Sequence, residues 1–447
     1  MPEQRSRGRN RDNSLHPAQS ATELSETVRI AQDLIRIDTT NHGQGNANPE
    51  RPAADYVCDF LHDLGLSPQV FESAPGRATV VCHVPGENAD LPALVLHGHL
   101  DVVPAVAESW SVDPFAGEIK DGLLWGRGAV DMKNMDAMML TAIAELLRAN
   151  KKPNRNTILV FFADEENGGA YGSVFMVREH PEVFAGAKTA ISEVGGYSVY
   201  LGGERAYLLQ TGEKALDWVK LRARGVAQHG SRIVRDNAIV KLARAVQALG
   251  SYEWPIELGD TTRALLHEIE ALTGPGDPDE LMSRAGSGAG FLFPSLRTTT
   301  NPTVLNAGYM HNVVPDTAEA LVDIRSFPGK QEQTLELVQD IVGEDIEIER
   351  LTTGVGMETP FYGELVDTVK ASLQTQDPDA KVLPYLLSAG TDNKSLSSLG
   401  IIGYGFVPLK LPPELDFPAM FHGVDERVPL ESIDFGHRVL LDFLERY

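Results

Sequence analysis

The sequence predicts an α/β protein in which a mostly parallel sheet flanked by helices carries an inserted, smaller α+β domain. Three observations lead there. Short apolar runs alternate with amphipathic helical segments through the first two hundred residues, the pattern of βαβ units. That pattern breaks after Gly196, where strands become alternating and half-exposed. Acidic and imidazole side chains then cluster at the ends of the apolar runs, where open α/β sheets bind ligands.

Taken in order, residues 1–20 are polar and basic without an apolar stretch, and read as a mobile arm rather than a secretory signal. Thr22 to Asp38 sets Leu24, Val28, Ala31, Leu34 and Ile35 on one helical face, and Arg51 to Leu66 repeats the pattern. Strands follow at ATVVCHV from Ala78 and ALVLHGHL from Ala93, then a helix over about Met132 to Asn150. The Met132, Met135, Met138 and Met139 series reads as its packed core, and Trp110, Phe115 and Trp125 as packing around the loop before it. TILVFFAD from Thr157, a helix near Gly172 to Glu179 and TAISE from Thr189 complete the alternation. Beyond it, LDWVKLRARG from Leu216 and EALVDIRSF from Glu319 alternate as half-buried strands around a helix at Asn237 to Leu249 and a Gly/Pro-rich stretch. The expected division is a catalytic domain of 21–212 and 331–447, with the insert at 213–330.

Composition narrows function. With 39 Lys and Arg against 63 Asp and Glu, the net charge is −24, which repels phosphate backbones and anionic membrane surfaces. No apolar run reaches the roughly 18 residues of a spanning helix. Cys58 and Cys82 show no metal or disulfide spacing and read as buried free thiols of a reducing, cytoplasmic protein.

The chemistry sits at the strand ends. His99 and Asp101 follow ALVL two residues apart and so project to one side. Asp131 opens a helix, where free N–H groups favour a carboxylate. Asp164, Glu165 and Glu166 close TILVFFA, and Glu193 closes TAIS. Bare carboxylates crowded at one edge repel each other, so the cluster calls for a cation, and one His among several carboxylates suits zinc or a related divalent ion. A second imidazole is needed if two ions are held. His422, in AMFHGVDE, is a candidate by position, although nothing in the residues alone selects it from twelve histidines.

The strings LHGHLDVVP (96–104), WGRGAVDMK (125–133), ADEENGG (163–169), SEVGG (192–196) and FHG (421–423), in this order, resemble the co-catalytic di-zinc family of aminoacylase, carboxypeptidase G, acetylornithine deacetylase and succinyl-diaminopimelate desuccinylase. Five ordered motifs say more than any one. The resemblance implies two divalent ions per chain, zinc foremost: Asp131 bridges them, His99 and Glu193 complete one, Glu166 and His422 the other. It implies that Asp101 orients His99 and that Glu165 is the general base for the water between the ions. It further assigns His229, in the insert, to the oxyanion. Arg325, Asn312 and the Gly390-Thr391 turn fall to the substrate and its free carboxylate. The implied activity is hydrolysis of an amide or peptide bond next to a carboxylate, by an N-acyl-amino-acid amidohydrolase or carboxypeptidase-like enzyme dimerising through the insert. A dipeptidase, a desuccinylase and a non-catalytic small-molecule binder are the alternatives. His97 shares the face of His99 but reads as structural, and His311 as a surface residue of the insert.

Overall fold

The computed structural model describes residues 24–43 and 45–447, so the expected arm at 1–20 lies outside the described residues. Helix α1 (Glu26–Arg36) starts where the Ser25 hydroxyl accepts a hydrogen bond from the Val28 amide, and it buries Val28, Ala31, Leu34 and Ile35, the face the periodicity predicts. Helix α2 (Arg51–Asp63) buries Ala54, Val57 and Leu61 in the same way.

The main sheet has ten strands. Its path runs from β1 (Gln69–Ala74) through β2 (Arg77–Val84), β4 (Thr157–Phe162), β3 (Ala93–His99), β5 (Ala187–Ser192) and β12 (Ile402–Gly405) to β6 (Glu204–Glu213), against which β11 (Lys381–Leu387) also pairs. β3 lies parallel to both β4 and β5, and β5 to β12. β1 and β2 are antiparallel additions at one edge. Helix α3 (Lys133–Arg148) is buried along nearly its whole length, with Met132, Met135, Met138 and Met139 at 1% exposure or less, so the methionines are packed core as expected. The strands β3 and β4 are buried on both faces and read as apolar runs, whereas β5 leaves Lys188 exposed and Thr189 half-buried before its buried end.

A second, four-stranded antiparallel sheet has the order β8 (Thr299–Ala307), β9 (Thr317–Ser326), β7 (Ala215–Arg224), β10 (Ile346–Gly354). Helices α4 (Ala238–Gly250) and α6 (Gln331–Val342) close its apolar face into a separate core around Val219, Leu221, Leu242, Val322 and Val338. This corrects the expected insert of 213–330 in two respects. The small sheet runs on to Gly354, because β10 pairs with β7 along eight positions. Within the insert, helix α5 (Asp260–Thr273) and the segment to Leu296 leave it and bury Leu265, Ile269, Met282 and Leu292 in the main core. The chain therefore crosses between the two bodies four times: at 213–215, 250–260, 296–299 and 354–357.

Candidate metal centre

The carboxyl ends of β3, β4 and β5 lie side by side, and this brings His99, Glu165, Glu166 and Glu193 together. His99 Nε2 stands 3.2 Å from Asp131 Oδ1 and 3.5 Å from Glu193 Oε2. His422 Nε2 stands 3.3 Å from Asp131 Oδ2 and 3.0 Å from Glu166 Oε2. Two imidazole–carboxylate triads thus share Asp131, one oxygen to each, and both have donor atoms close enough together to hold an ion. Glu165 belongs to neither triad, with its Oε2 3.9 Å from His99 Nε2.

The backbone is bent to achieve this. Asp164, Val194 and His422 all have positive φ, at 65°, 57° and 56°: His422 is a ligand candidate, Val194 follows one, and Asp164 precedes Glu165. A β-branched residue at such an angle is unusual, and local strain of this kind gathers at functional sites. Gly405 of β12 has no room for a Cβ against the carbonyls of Glu193 and Val194, so it must be glycine for that turn to sit where it does.

Electrostatics state the need for cations. Burial, together with the neighbouring charge of Asp131, pushes the Glu193 and Glu166 carboxyls upward. Burial and the charge of Glu193 push Glu165 well above its usual range. Burial also acts to raise Asp131, but hydrogen bonds with His422 and His99 outweigh it and hold this group low. His422 is drawn up to about 10 by Asp131 and Glu166, and the Glu193 charge lifts His99 well above its ordinary value against its burial. The buried Glu166 Oε1 has no hydrogen-bond partner among the described residues, and the donor set of two imidazoles and three carboxylates fits zinc or a similar ion.

Asp101 works differently from the expected relay. His99 Nδ1 bonds the Asp101 main-chain carbonyl at 2.9 Å, while the nearer carboxylate oxygen is 3.6 Å away. The carboxylate accepts from the Glu165 and Glu166 amides at 3.1 and 3.2 Å and from Asn41 at 2.9 Å, so it fixes the turn that presents both acids. The residues alone did not signal this support, because it comes from distant segments. Arg77 is clamped by Glu50 and reaches Asp164 at 2.8 Å, and Asn41 also bonds Asp164. Glu426 accepts from the Val130 and Asp131 amides at 2.6 and 3.0 Å and pairs with Arg127, holding the loop that delivers Asp131. His97 is fully buried, bonds Asn393 at 3.0 Å and is driven down to about 4 by burial, a structural histidine as expected.

The other predicted residues are not at the cluster. His229 is exposed in a short ribbon, Gln228–His229 against Val313–Val314, with its Nδ1 2.8 Å from the Ser231 hydroxyl. Asn312 lies beside it, its carbonyl accepting from the Gly230 amide. Arg325 ends β9 and pairs with Asp323 at 2.7 Å. The Gly390-Thr391 turn is tied to the boundary between the two bodies: the buried Glu213 accepts from the Thr391 amide and hydroxyl at 2.9 and 2.7 Å. Lys394 Nζ stands 3.8 Å from Glu213 and donates to the Lys214 carbonyl at 2.8 Å, and burial pushes its ammonium down.

A two-body α/β chain with paired acid–imidazole triads at its strand ends has the build of a two-metal hydrolase. The family model described as Peptidase family M20/M25/M40 matches residues 95–446, and the chain belongs to that family, a family of dinuclear metal-binding peptidases. It is a hydrolase acting on C–N bonds. Human aminoacylase-1 is 29% identical over 429 residues, covering 93% of this chain and 94% of that protein. An M20 family metallo-carboxypeptidase, Sso-CP2 from Sulfolobus solfataricus, has the same fold, with a TM-score of 0.74 at 20% identity over 95% of this chain and 99% of the other. The Bacillus subtilis YXEP protein, described as a dinuclear metal-binding peptidase, follows at a TM-score of 0.60 and 12% identity, covering 94% and 96%.

Proposed function

We propose that the chain is a zinc-dependent N-acyl-amino-acid amidohydrolase. The observation that carries the reading is the pair of triads sharing Asp131 with a free acid, Glu165, beside them. His99, Glu193 and Asp131 would hold one ion, and Asp131, Glu166 and His422 the other. When bound, such ions polarise a scissile carbonyl and make a water acidic enough to lose its proton near neutral pH. Glu165 takes up that proton and returns it to the leaving amine, a role open to it because it lies beside both triads and belongs to neither. Asp101 keeps Glu165 and Glu166 in separate directions through their amides. Arg325, with the Gly390-Thr391 turn, receives the substrate carboxylate, for which a planar guanidinium is suited, and Asn312 lies near the substrate from the inserted body. The likeness to aminoacylase-1 over nearly the whole chain favours the deacylase over the dipeptidase and desuccinylase alternatives. Turnover of N-acyl amino acids, dipeptides and N-succinyl substrates by the zinc-loaded protein tests the choice, and cleavage of dipeptides alone would overturn it.

Metal content is the direct check on the shared carboxylate. Protein stripped and reloaded is expected to saturate at two divalent ions per chain by elemental analysis. Saturation at one removes the bridging role of Asp131.

His229 acts from the inserted body, which closes over the cluster as a lid and brings a donor to the developing oxyanion. His229→Ala is expected to keep its metal and lose about 10²–10³-fold in kcat with a smaller change in KM. A wild-type kcat sinks the role. The edge strand β8, with Val304 and Leu305 exposed at 41% and 62% and Tyr309 and Met310 beyond it, is the surface through which two chains pair. In such a homodimer His229 serves the partner's site, and mixing Glu165→Gln with His229→Ala chains restores activity. No recovery despite proven subunit exchange places His229 over its own site. A small-molecule substrate in the cytoplasm completes the reading. Both cysteines are free and buried, and no helix among the described residues is long and apolar enough to cross a membrane.

A further inference from the structure

Glu213 and Lys214 are both fully buried where the chain first leaves the main body, and their side chains reach different segments. The Lys214 ammonium donates to the carbonyls of Pro294 and Arg297, at the third crossing, and stands 5.2 Å from the centre of the Phe327 ring. The Glu213 carboxylate instead accepts from the Thr391 amide and hydroxyl, and Gln210 Nε2 donates to it at 3.3 Å. Backbone groups of Lys214 reinforce the link. Its amide donates to the Leu387 carbonyl at 2.8 Å, and its carbonyl accepts from Lys394 Nζ. Met357, at the fourth crossing, pairs with Glu213 across the sheet, and the Glu257 amide of the second crossing donates to the Leu296 carbonyl at 2.9 Å. The four crossings thus form one joint, and the Gly390-Thr391 turn is bonded into it. On its other side the turn reaches the strand that carries His99: the Thr391 hydroxyl accepts from the Asn393 amide at 3.2 Å, and Asn393 Oδ1 bonds the buried His97 of β3.

We propose that Glu213 is a positioning residue for the hydrolysis: it holds the Gly390-Thr391 turn to the joint, so that the grip on the substrate carboxylate is set by the placement of the inserted body. The inference rests on the assignment of the substrate carboxylate to that turn and deepens it by naming what orients the turn. A buried carboxylate is costly unless its oxygens are bonded, and Glu213 directs one oxygen to the Thr391 amide and the other to its hydroxyl. Burial pushes this carboxyl up, against the pull of Lys394 and of the Thr391 and Gln210 donors. Lys394 Nζ, at 3.8 Å, is beyond hydrogen-bond reach, so the attachment to the turn runs through Thr391. A carboxylate accepts at both oxygens, whereas a glutamine accepts at one and sets N–H donors against the donors of the turn. Glu213→Gln therefore loosens the turn without emptying the space.

The experiment compares N-acetyl-methionine with N-acetyl-methioninamide, in which an uncharged amide replaces the carboxylate, by acetate release from the metal-loaded full chain. The wild type is expected to favour the acid. Glu213→Gln is expected to keep two ions by elemental analysis and to lower the acid-to-amide ratio of kcat/KM by about tenfold or more, chiefly through KM for the acid. This is the scale on which residues that do not touch a ligand modulate its binding. Thr391→Val, which removes the hydroxyl bonded to Glu213, is expected to act in the same direction. The double variant should lose no more than the worse of the two, because both break one attachment. If Glu213→Gln does not fold, the ratio for Thr391→Val decides alone. Equal losses on acid and amide overturn the inference, since a residue that only stabilises the joint serves both substrates alike. So do a ratio left at the wild-type value and losses that multiply in the double variant. A wild type that cleaves acid and amide equally well removes the carboxylate from the turn, and the inference with it, while the amidohydrolase reading stands. Failure to cleave any N-acyl substrate, with two ions bound, overturns that reading as well.

Discussion

Glu165→Gln is expected to keep two ions per chain and lose about 10²–10⁴-fold in kcat, the span of general acid–base catalysis by one positioned group. The substitution is nearly isosteric and removes the proton-accepting oxygen without touching either triad, since Glu165 stands outside both. Its amide still donates to Asp101, so the turn that presents Glu166 is kept. Glu166→Gln is the control: it leaves Glu165 in place but removes a carboxylate 3.0 Å from His422, and is expected to loosen metal. Elemental analysis and kcat measured on the same preparations separate the two. Metal loss from Glu165→Gln with retention by Glu166→Gln would mean that the adjacent acids have exchanged roles.

Asp131→Asn is expected to abolish turnover and to uncouple thermal stability from metal. In the wild-type chain each ion binds only the folded state, so at 100–1,000 times its dissociation constant it adds about 2.7–4.1 kcal/mol of stability. A chelator should therefore lower the wild-type Tm substantially, and zinc should restore it. Asp131 offers one oxygen to each triad, so its loss damages both at once, and the variant should melt at the same temperature with chelator or with zinc. A variant that still binds two ions and still responds to chelator would remove Asp131 from the shared position.

The main sheet and most of the acidic cluster were legible because each depends on local pattern. Strands buried on two faces must be apolar throughout, and His99, Glu166 and Glu193 stand where those runs stop. His422 was not legible from residues alone, because its loop carries no periodic signal and only a matched string singled it out. Glu50, Asn41, Arg77 and Glu426 escaped for a related reason: a supporting hydrogen bond joins segments whose separation in the chain says nothing of their distance in space. Asp101 was placed near His99, but its carboxylate turned out to serve the amides of Glu165 and Glu166, a preference that spacing cannot express. The insert boundary failed because α5 and α6 have the same amphipathic period, and the period tells that a helix has a core to face but not which of two cores it faces.

The order of strands in the small sheet governs how it can be made. β7 lies in its middle, between β9 and β10, yet it is the first of the four to be synthesised. At about 5–20 residues per second, the chain between Arg224 and Thr317 takes on the order of 5–20 s to appear, and β10 comes later still. Through that interval both hydrogen-bonding edges of a strand bearing Val219 and Leu221 have no native partner, and α4 with Trp254 is the later part of their core already made. The nascent β7 is thus the segment of this protein most open to pairing with the wrong strand, and its alternating Lys220, Arg222 and Arg224 put charge on every second position of that waiting edge.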